Sequence, residues 1–314
     1  MNNSEYNEVD EYLKEILEEI SPKAKSLIIT FFGDTVFPYG GTIWLGSLVK
    51  FMEEFDISEK LTRTSIFRLT KEGWLSSKKF GRESYYSLSD LAIDRFIKAH
   101  YSVYAYDEQD KDKDWLVLFT NAVKPENEFE LSKVLKKEGF ANPSKHVHIH
   151  PHYKMEYMQD ILLKNELQNE VLLVKGPIHM PMNKEMIKDM VHTYWDLDHV
   201  EERYQDFITK FRRIFSLKTP IEQFTDKQCF ILRIMLIHEY RRALLFDPKL
   251  GNDLVSVDWL GKAASSLVES IYGKIHNQAN TYVQSNLLTV GGNNPKLDKF
   301  YFNRFGGIDN SAKK

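Results

Sequence analysis

Cysteine is almost absent from this 314-residue chain. Cys229 alone can form no internal disulfide, which excludes a disulfide framework. It lies in the apolar run 228–237, where a buried small hydrophobe is expected rather than a reactive thiol, and a reducing cytoplasm suits it. Long hydrophobic runs are missing too: 24–32 and 231–237 are broken by Lys25 and Arg233 and fall far short of the roughly 20 residues of a membrane-spanning helix. The first 20 residues set Glu5, Glu8, Asp10, Glu11, Glu15, Glu18 and Glu19 against Lys14, the opposite of a basic, apolar export signal. A soluble cytoplasmic protein with no membrane partner is expected. The sequence also lacks a Gly-x-Ser-x-Gly elbow, a Walker-type or Gly-x-Gly-x-x-Gly loop, His-Glu-x-x-His and Cys-x-x-Cys. No recognised catalytic engine follows, so neither enzyme activity nor a cofactor is expected. A large net charge is absent as well: at −3 the whole molecule offers a polyanion no attraction, and nucleic-acid binding would need a local basic face.

What is there is globular, with 42% hydrophobic and 28% charged residues over a length that suggests two or three domains. Val9, Leu13, Ile16, Leu17 and Ile20 recur at helical spacing, so 5–20 reads as an amphipathic helix that packs on the body or on a partner and ends at Ser21-Pro22. A short apolar helix over 25–32, a turn at Pro38-Tyr39-Gly40-Gly41 and a helix over 44–55 follow.

From Ile57 the pattern sharpens. Thr62, Ser65, Ile66 and Leu69 share one helix face, while Lys60, Arg63, Thr64, Phe67, Arg68 and Lys71 lie on or flank the other. Gly73 ends this helix, and strands over 74–79 and 84–88 are joined by Phe80-Gly81-Arg82-Glu83. Three helices and a basic hairpin make a winged helix-turn-helix. Over 57–88 seven bases face three acids, a local excess of +4 in an acidic chain. Long donors on such a helix suit base edges in a major groove: Arg63, Thr64 and Arg68 are assigned to bases, Lys60 and Lys71 to the helix flanks, and Lys79 and Arg82 to phosphates from the hairpin. A protein-contact role of the same module is the alternative.

Ser89 suits the N-cap of a helix reaching 104, and the charged stretch 107–114 reads as a linker. Beyond it the pattern predicts a strand over 115–119, a helix over 126–138, a turn at Asn142-Pro143, a strand over 146–150, a helix over 154–168 and a strand over 171–175. With one more short strand at Phe140 this is a βαββαβ unit of ferredoxin-like type. Helices over 183–194, 198–215, 226–246 and 259–281 come next, then a loose tail. The expected class is α+β and multidomain: an acidic extension 1–22, a winged helix-turn-helix domain 23–106, a ferredoxin-like domain 113–176, a helical C-terminal domain 177–282 and a tail 283–314.

Two further constellations stand out. His146, His148, His150 and His152 alternate along a strand, and histidines at i, i+2 can share a zinc ion; a half-exposed structural strand is the competing reading, and no metal site is assigned. Within the apolar run 226–246, His238 and Arg242 are i, i+4, and Tyr240 and Arg241 lie between them. The arginines need counter-charges, for which Asp196, Asp198 and Asp247 are candidates alongside an anionic ligand; an ion-paired hub between helices is the alternative.

Ser26-Leu-Ile-Ile-Thr-Phe-Phe-Gly-Asp34, Trp44-Leu-Gly-Ser-Leu48 and Arg63-Thr-Ser-Ile-Phe-Arg-Leu-Thr-Lys-Glu-Gly-Trp-Leu75 together resemble the PaaX family, repressors of bacterial phenylacetate catabolism. The resemblance continues through Trp195-Asp-Leu-Asp198, Leu236-Ile-His-Glu-Tyr-Arg-Arg242, Asp247-Pro248 and Asp258-Trp259. It implies a GntR-like winged helix, a ferredoxin-like middle domain similar to the CRISPR-associated Cas2 fold, and a helical C-terminal domain. It further implies a homodimer on a palindromic double-stranded operator, released by phenylacetyl-coenzyme A as effector. Thr120-Asn121 stands where a Cas2-type nuclease would carry an acidic metal ligand, and Phe246 and Leu260 depart from the family's usual arginine and proline. On this resemblance the acyl-coenzyme A is placed near Trp195, His238, Tyr240, Arg241 and Arg242. The competing readings are a metal-dependent hydrolase using the ladder 146–152 and a repressor answering to a different acyl-coenzyme A.

Overall fold

A computed structural model describes residues 3–104, 114–151, 153–177, 184–251, 254–290, 292–293 and 296–308. The linker expected over 107–114 falls outside these residues except for Asp114, and His152 lies outside them too. The protein is a mixed α+β chain. In order, its elements are α1 (Asn3–Ile20), α2 (Ala24–Phe31), β1 (Thr42–Trp44), α3 (Leu45–Glu53), α4 (Glu59–Lys71), β2 (Leu75–Phe80), β3 (Glu83–Leu88) and α5 (Asp90–Tyr104). There follow β4 (Trp115–Phe119), α6 (Pro125–Lys137), β5 (Ala141–Ser144), β6 (Val147–Pro151), α7 (Met155–Lys164), β7 (Leu172–Gly176), α8 (Lys184–Tyr194) and α9 (Leu197–Arg212). The chain continues with α10 (Asp226–Leu244), α11 (Leu260–Asn286), β8 (Leu288–Thr289), β9 (Gly292–Asn293) and α12 (Lys299–Phe302).

Two compact units emerge, the first built from 1–106, 205–244 and 262–314, the second from 107–204 and 245–261. These boundaries differ from those expected. Residues 205–244 and most of the presumed tail do not stand apart from the N-terminal part but build its core.

The first unit is organised around α10, which is buried almost continuously from Gln228 to Tyr240. A helix buried on every side runs through an interior, and this one carries Arg233 and His238 inside with it. α1, α2 and α5 pack on it. The acidic extension belongs to this body: α1 buries Val9, Tyr12, Leu13, Ile16 and Ile20, and Asp10 accepts a hydrogen bond from Gln228 at 2.8 Å. Glu19 pairs with Arg213 at 2.9 Å. Cys229 is fully buried, and burial pushes its thiol up to about 12, so it is inert as expected.

The tail is the clearest departure from expectation. Arg304 is buried and bonds Asp34 through Nη1 at 3.1 Å, while Arg233 reaches the other carboxylate oxygen at 2.9 Å. Tyr104 and Tyr272 donate to the same carboxylate at 2.8 and 3.0 Å, and the Arg304 guanidinium stacks 4.0 Å over the Tyr104 ring. Burial alone would raise the Asp34 carboxyl, but the two guanidinium groups and the tyrosine hydroxyls hold it below its usual range.

In the second unit the four-stranded antiparallel sheet has the order β5-β6-β4-β7. The extra short strand expected at Phe140 is β5, which starts one residue later and runs through Asn142-Pro143, where a turn was expected. Leu116 and Leu118 of β4 pack with Leu131 and Leu135 of α6 and Met158 and Leu162 of α7, so both helices cover one sheet face.

Candidate nucleic-acid interface

Ser58 caps α4, its side chain accepting from Leu61 N. The helix buries Thr62, Ser65, Ile66 and Leu69, the four positions with the expected inward spacing. Small hydroxyl residues at two of them let α4 sit close to α2 and α3. At its end Gly73 takes φ of +75°, and Trp74 N donates back to Leu69 O at 2.9 Å, the six-residue closure that turns the chain into β2. Lys25 fastens the end of α4 to α2 through a 2.6 Å pair with Glu72.

β2 and β3 form a hairpin whose last pair is Phe80 with Glu83, leaving Gly81-Arg82 as the turn. Glycine at the first turn position adopts φ of +62°, a conformation that side chains disfavour. β1, an element the sequence pattern missed because it is only three residues long, pairs on the other side of β3 and completes the order β1-β3-β2. Ser89 caps α5 as expected, accepting from Ala92 N at 3.1 Å and donating to Gly73 O.

All seven nominated contact residues are exposed. Lys60, Arg63, Thr64, Arg68 and Lys71 share the outward face of α4, and Lys79 and Arg82 stand on the adjoining hairpin. Arg63 is engaged with Glu59 one turn earlier at 2.7 Å, both side chains being more than half exposed, and Thr64 donates to Lys60 O at 2.8 Å. A solvent-exposed pair of this kind is worth only about 0–1 kcal/mol, so a stronger acceptor can take the guanidinium from Glu59. The arrangement is a rigidly seated helix with a cationic outer face beside a cationic hairpin, able to hold an extended polyanion.

The residues nominated for the acyl-coenzyme A do not come together in one unit. Trp195 is in the second unit, where its indole Nε1 donates to Gly139 O at 2.7 Å and its ring meets Trp115 edge-on. His238, Tyr240, Arg241 and Arg242 are in the first, on α10. His238 is buried against the Thr30 hydroxyl at 3.0 Å; burial, with Arg241 and Arg242 beside it, pushes its imidazole down to about 3, so it is neutral at pH 7. Tyr240 packs on Phe207, and Arg241 donates to the Ser26 hydroxyl at 3.2 Å. Arg242 pairs with Glu239 at 2.6 Å. Two of the three carboxylates expected to neutralise these arginines have other partners: Asp247 accepts from Tyr204, and Asp198 meets His192 at 3.3 Å. On α10, then, Arg241 is held by a hydrogen bond to Ser26 of α2 and Arg242 by an ion pair within the helix, to Glu239.

The described histidines of the ladder, His146, His148 and His150, do not converge on a point. His146 precedes β6 with φ of +62° and pairs with Glu128 at 2.8 Å. His148 and His150 are paired in register with Leu118 and Leu116, so they point to the covered face and are buried. Burial lowers the His148 imidazole, and His150 packs on Phe140 and Tyr153. Among the described residues no group of three or more histidine, cysteine or carboxylate side chains is placed to hold a metal ion. No helix among them is long and apolar enough to cross a membrane.

Comparison with known proteins supplies two matches along the chain: residues 23–92 match the family described as PaaX-like protein, and residues 195–285 match the PaaX-like protein C-terminal domain. Over 304 residues, 96% of this chain and 96% of the relative, the sequence is 30% identical to the transcriptional repressor PaaX of Escherichia coli strain K12. Among solved structures, the uncharacterized protein Rv0674 from Mycobacterium tuberculosis aligns with a TM-score of 0.47 at 17% identity, covering 75% of this chain and 89% of that one.

Proposed function

The chain belongs to the PaaX-like family, and on that premise we propose that it is a cytoplasmic transcriptional repressor of phenylacetate catabolism that binds double-stranded operator DNA as a homodimer. In this reading α3, α4 and the β2–β3 hairpin are a winged helix-turn-helix of GntR-like type. Arg63, Thr64 and Arg68 reach base edges, Lys60 and Lys71 steady the helix on the groove walls, and Lys79 and Arg82 hold phosphate from the hairpin. The observation that carries the reading is the outward face of α4, where all five nominated side chains are exposed above a buried face of small residues. The second unit, with sheet order β5-β6-β4-β7, is read as the ferredoxin-like domain. The reading assigns no catalysed reaction.

Release requires an effector that binds the DNA-incompetent state more tightly than the DNA-bound one. Phenylacetyl-coenzyme A is the proposed effector, with Arg241, Arg242, His238 and Tyr240 of α10 as the residues to test first. Fluorescence anisotropy on a labelled duplex from the gene's own upstream region, against a random duplex at fixed salt, tests both parts. Preferential binding reversed by the thioester, and by neither phenylacetate nor coenzyme A, is expected. Equal affinity for the two duplexes would contradict the repressor reading, and specific binding indifferent to the thioester would contradict the effector.

A further inference from the structure

Phe67 is the more exposed of the two large apolar side chains on the outer side of α4, the other being Leu61, and neither the fold nor the cationic face explains it. It lies four residues after Arg63, three after Thr64 and four before Lys71, and so occupies the middle of the outward arc between them. Its side chain is 69% exposed, although α4 has an apolar side on which a phenyl ring would be stabilised by burial. The ring stands at the edge of a groove shared with Leu45, Ile66, Ser77 and Tyr86, between the helix and the hairpin, without being covered by it.

The surroundings narrow the choice of what such a ring meets. Arg63 and Lys71 flank it one turn to either side, and Lys60 and Arg68 are exposed on the same helix, so the approaching surface is anionic at its margins and apolar at its centre. A duplex presents that combination: phosphates along both walls of the major groove and, on its floor, the C5-methyl group of thymine, the one apolar group among the base edges there. Building on the repressor reading above, we infer that Phe67 is a specificity-determining residue that packs against a thymine C5-methyl group while its charged neighbours hold phosphates and hydrogen-bonding base edges.

The test removes only the methyl group. In the specific duplex, each thymine is replaced in turn by deoxyuridine, and binding of the wild-type chain, Phe67→Ala and Phe67→Leu is followed by anisotropy at one salt concentration. One thymine per half-site is expected to matter: its replacement weakens the wild type about fourfold, the factor expected for one buried methyl group, while Phe67→Ala binds the two duplexes equally. Phe67→Leu is expected to keep part of the discrimination. Because the ring is exposed, thermal unfolding of the variants should match the wild type, which separates lost contact from lost fold. Wild-type affinity unchanged at every thymine, or discrimination that survives in Phe67→Ala, would overturn the assignment. Failure of the unmodified duplex to bind better than random DNA would remove the premise itself, and it is read before any deoxyuridine is introduced.

Discussion

Arg63 and Lys79 are both exposed cations, yet the account gives them different work. A guanidinium that forks onto a guanine edge distinguishes one base pair from another, whereas an ammonium against phosphate does not. Arg63→Ala should therefore cost about 1–3 kcal/mol on the cognate duplex and little on random DNA, while Lys79→Ala weakens both alike. Paired titrations on the two duplexes check this, and an equal loss for Arg63→Ala on both would remove its role in base reading. The buried imidazoles make a different claim. His100 and His238 are pushed down to about 3 and His276 to about 4, in each case chiefly by burial. Folded values below the unfolded value of about 6.5 mean that the unfolded chain binds more protons, so stability present above pH 6.5 is lost as pH falls toward 3–4. At pH 5 each imidazole withholds at most roughly 2 kcal/mol. Urea unfolding midpoints should fall between pH 7.5 and pH 5, and a midpoint that stays level would contradict neutral burial.

At the scale of elements, the sequence was most legible where periodicity is local. The inward face of α4 and its outward cations follow from spacing alone, and Trp115–Phe119 is found as expected because an apolar run between a charged segment and a turn has few alternatives. Contacts that join distant segments left no such trace. Asp34 and Arg304 are 270 residues apart, and nothing local in Arg304-Phe305-Gly306 marks its arginine as buried rather than solvated. The same limit hid the partner of Arg241, since Ser26 lies 215 residues away. Among the described residues Asp34 is the one carboxylate paired with two buried guanidinium groups, so its loss leaves both charges without a counter-ion there, whereas losing Arg304 leaves the pair with Arg233 intact. Asp34→Asn should cost roughly 3–5 kcal/mol and Arg304→Met clearly less in denaturant unfolding. The reverse order would show that the carboxylate does not anchor this cluster.

For the whole molecule, similarity to the Escherichia coli repressor runs through 96% of both chains, so it takes in both compact units rather than α4 and its surroundings alone. Domain boundaries were the least legible feature, because α10 packs on α1, α2 and α5 and α11 meets the first hundred residues through Tyr282 against Phe51 and Glu54, and hydrophobic periodicity names a buried face without naming its partner. That chain path puts the nominated effector residues of α10 in the same unit as α4. The central claim, that the outward face of α4 reads a duplex, is tested most directly by hydroxyl-radical footprinting of the upstream region with the wild-type chain and with a Lys60→Gln, Arg63→Gln, Arg68→Gln variant. The account predicts two protected stretches on one side of the duplex, about 10–10.5 base pairs or a multiple of that apart, both lost in the variant. Protection that persists in the variant, or none beyond that on random DNA, would contradict it.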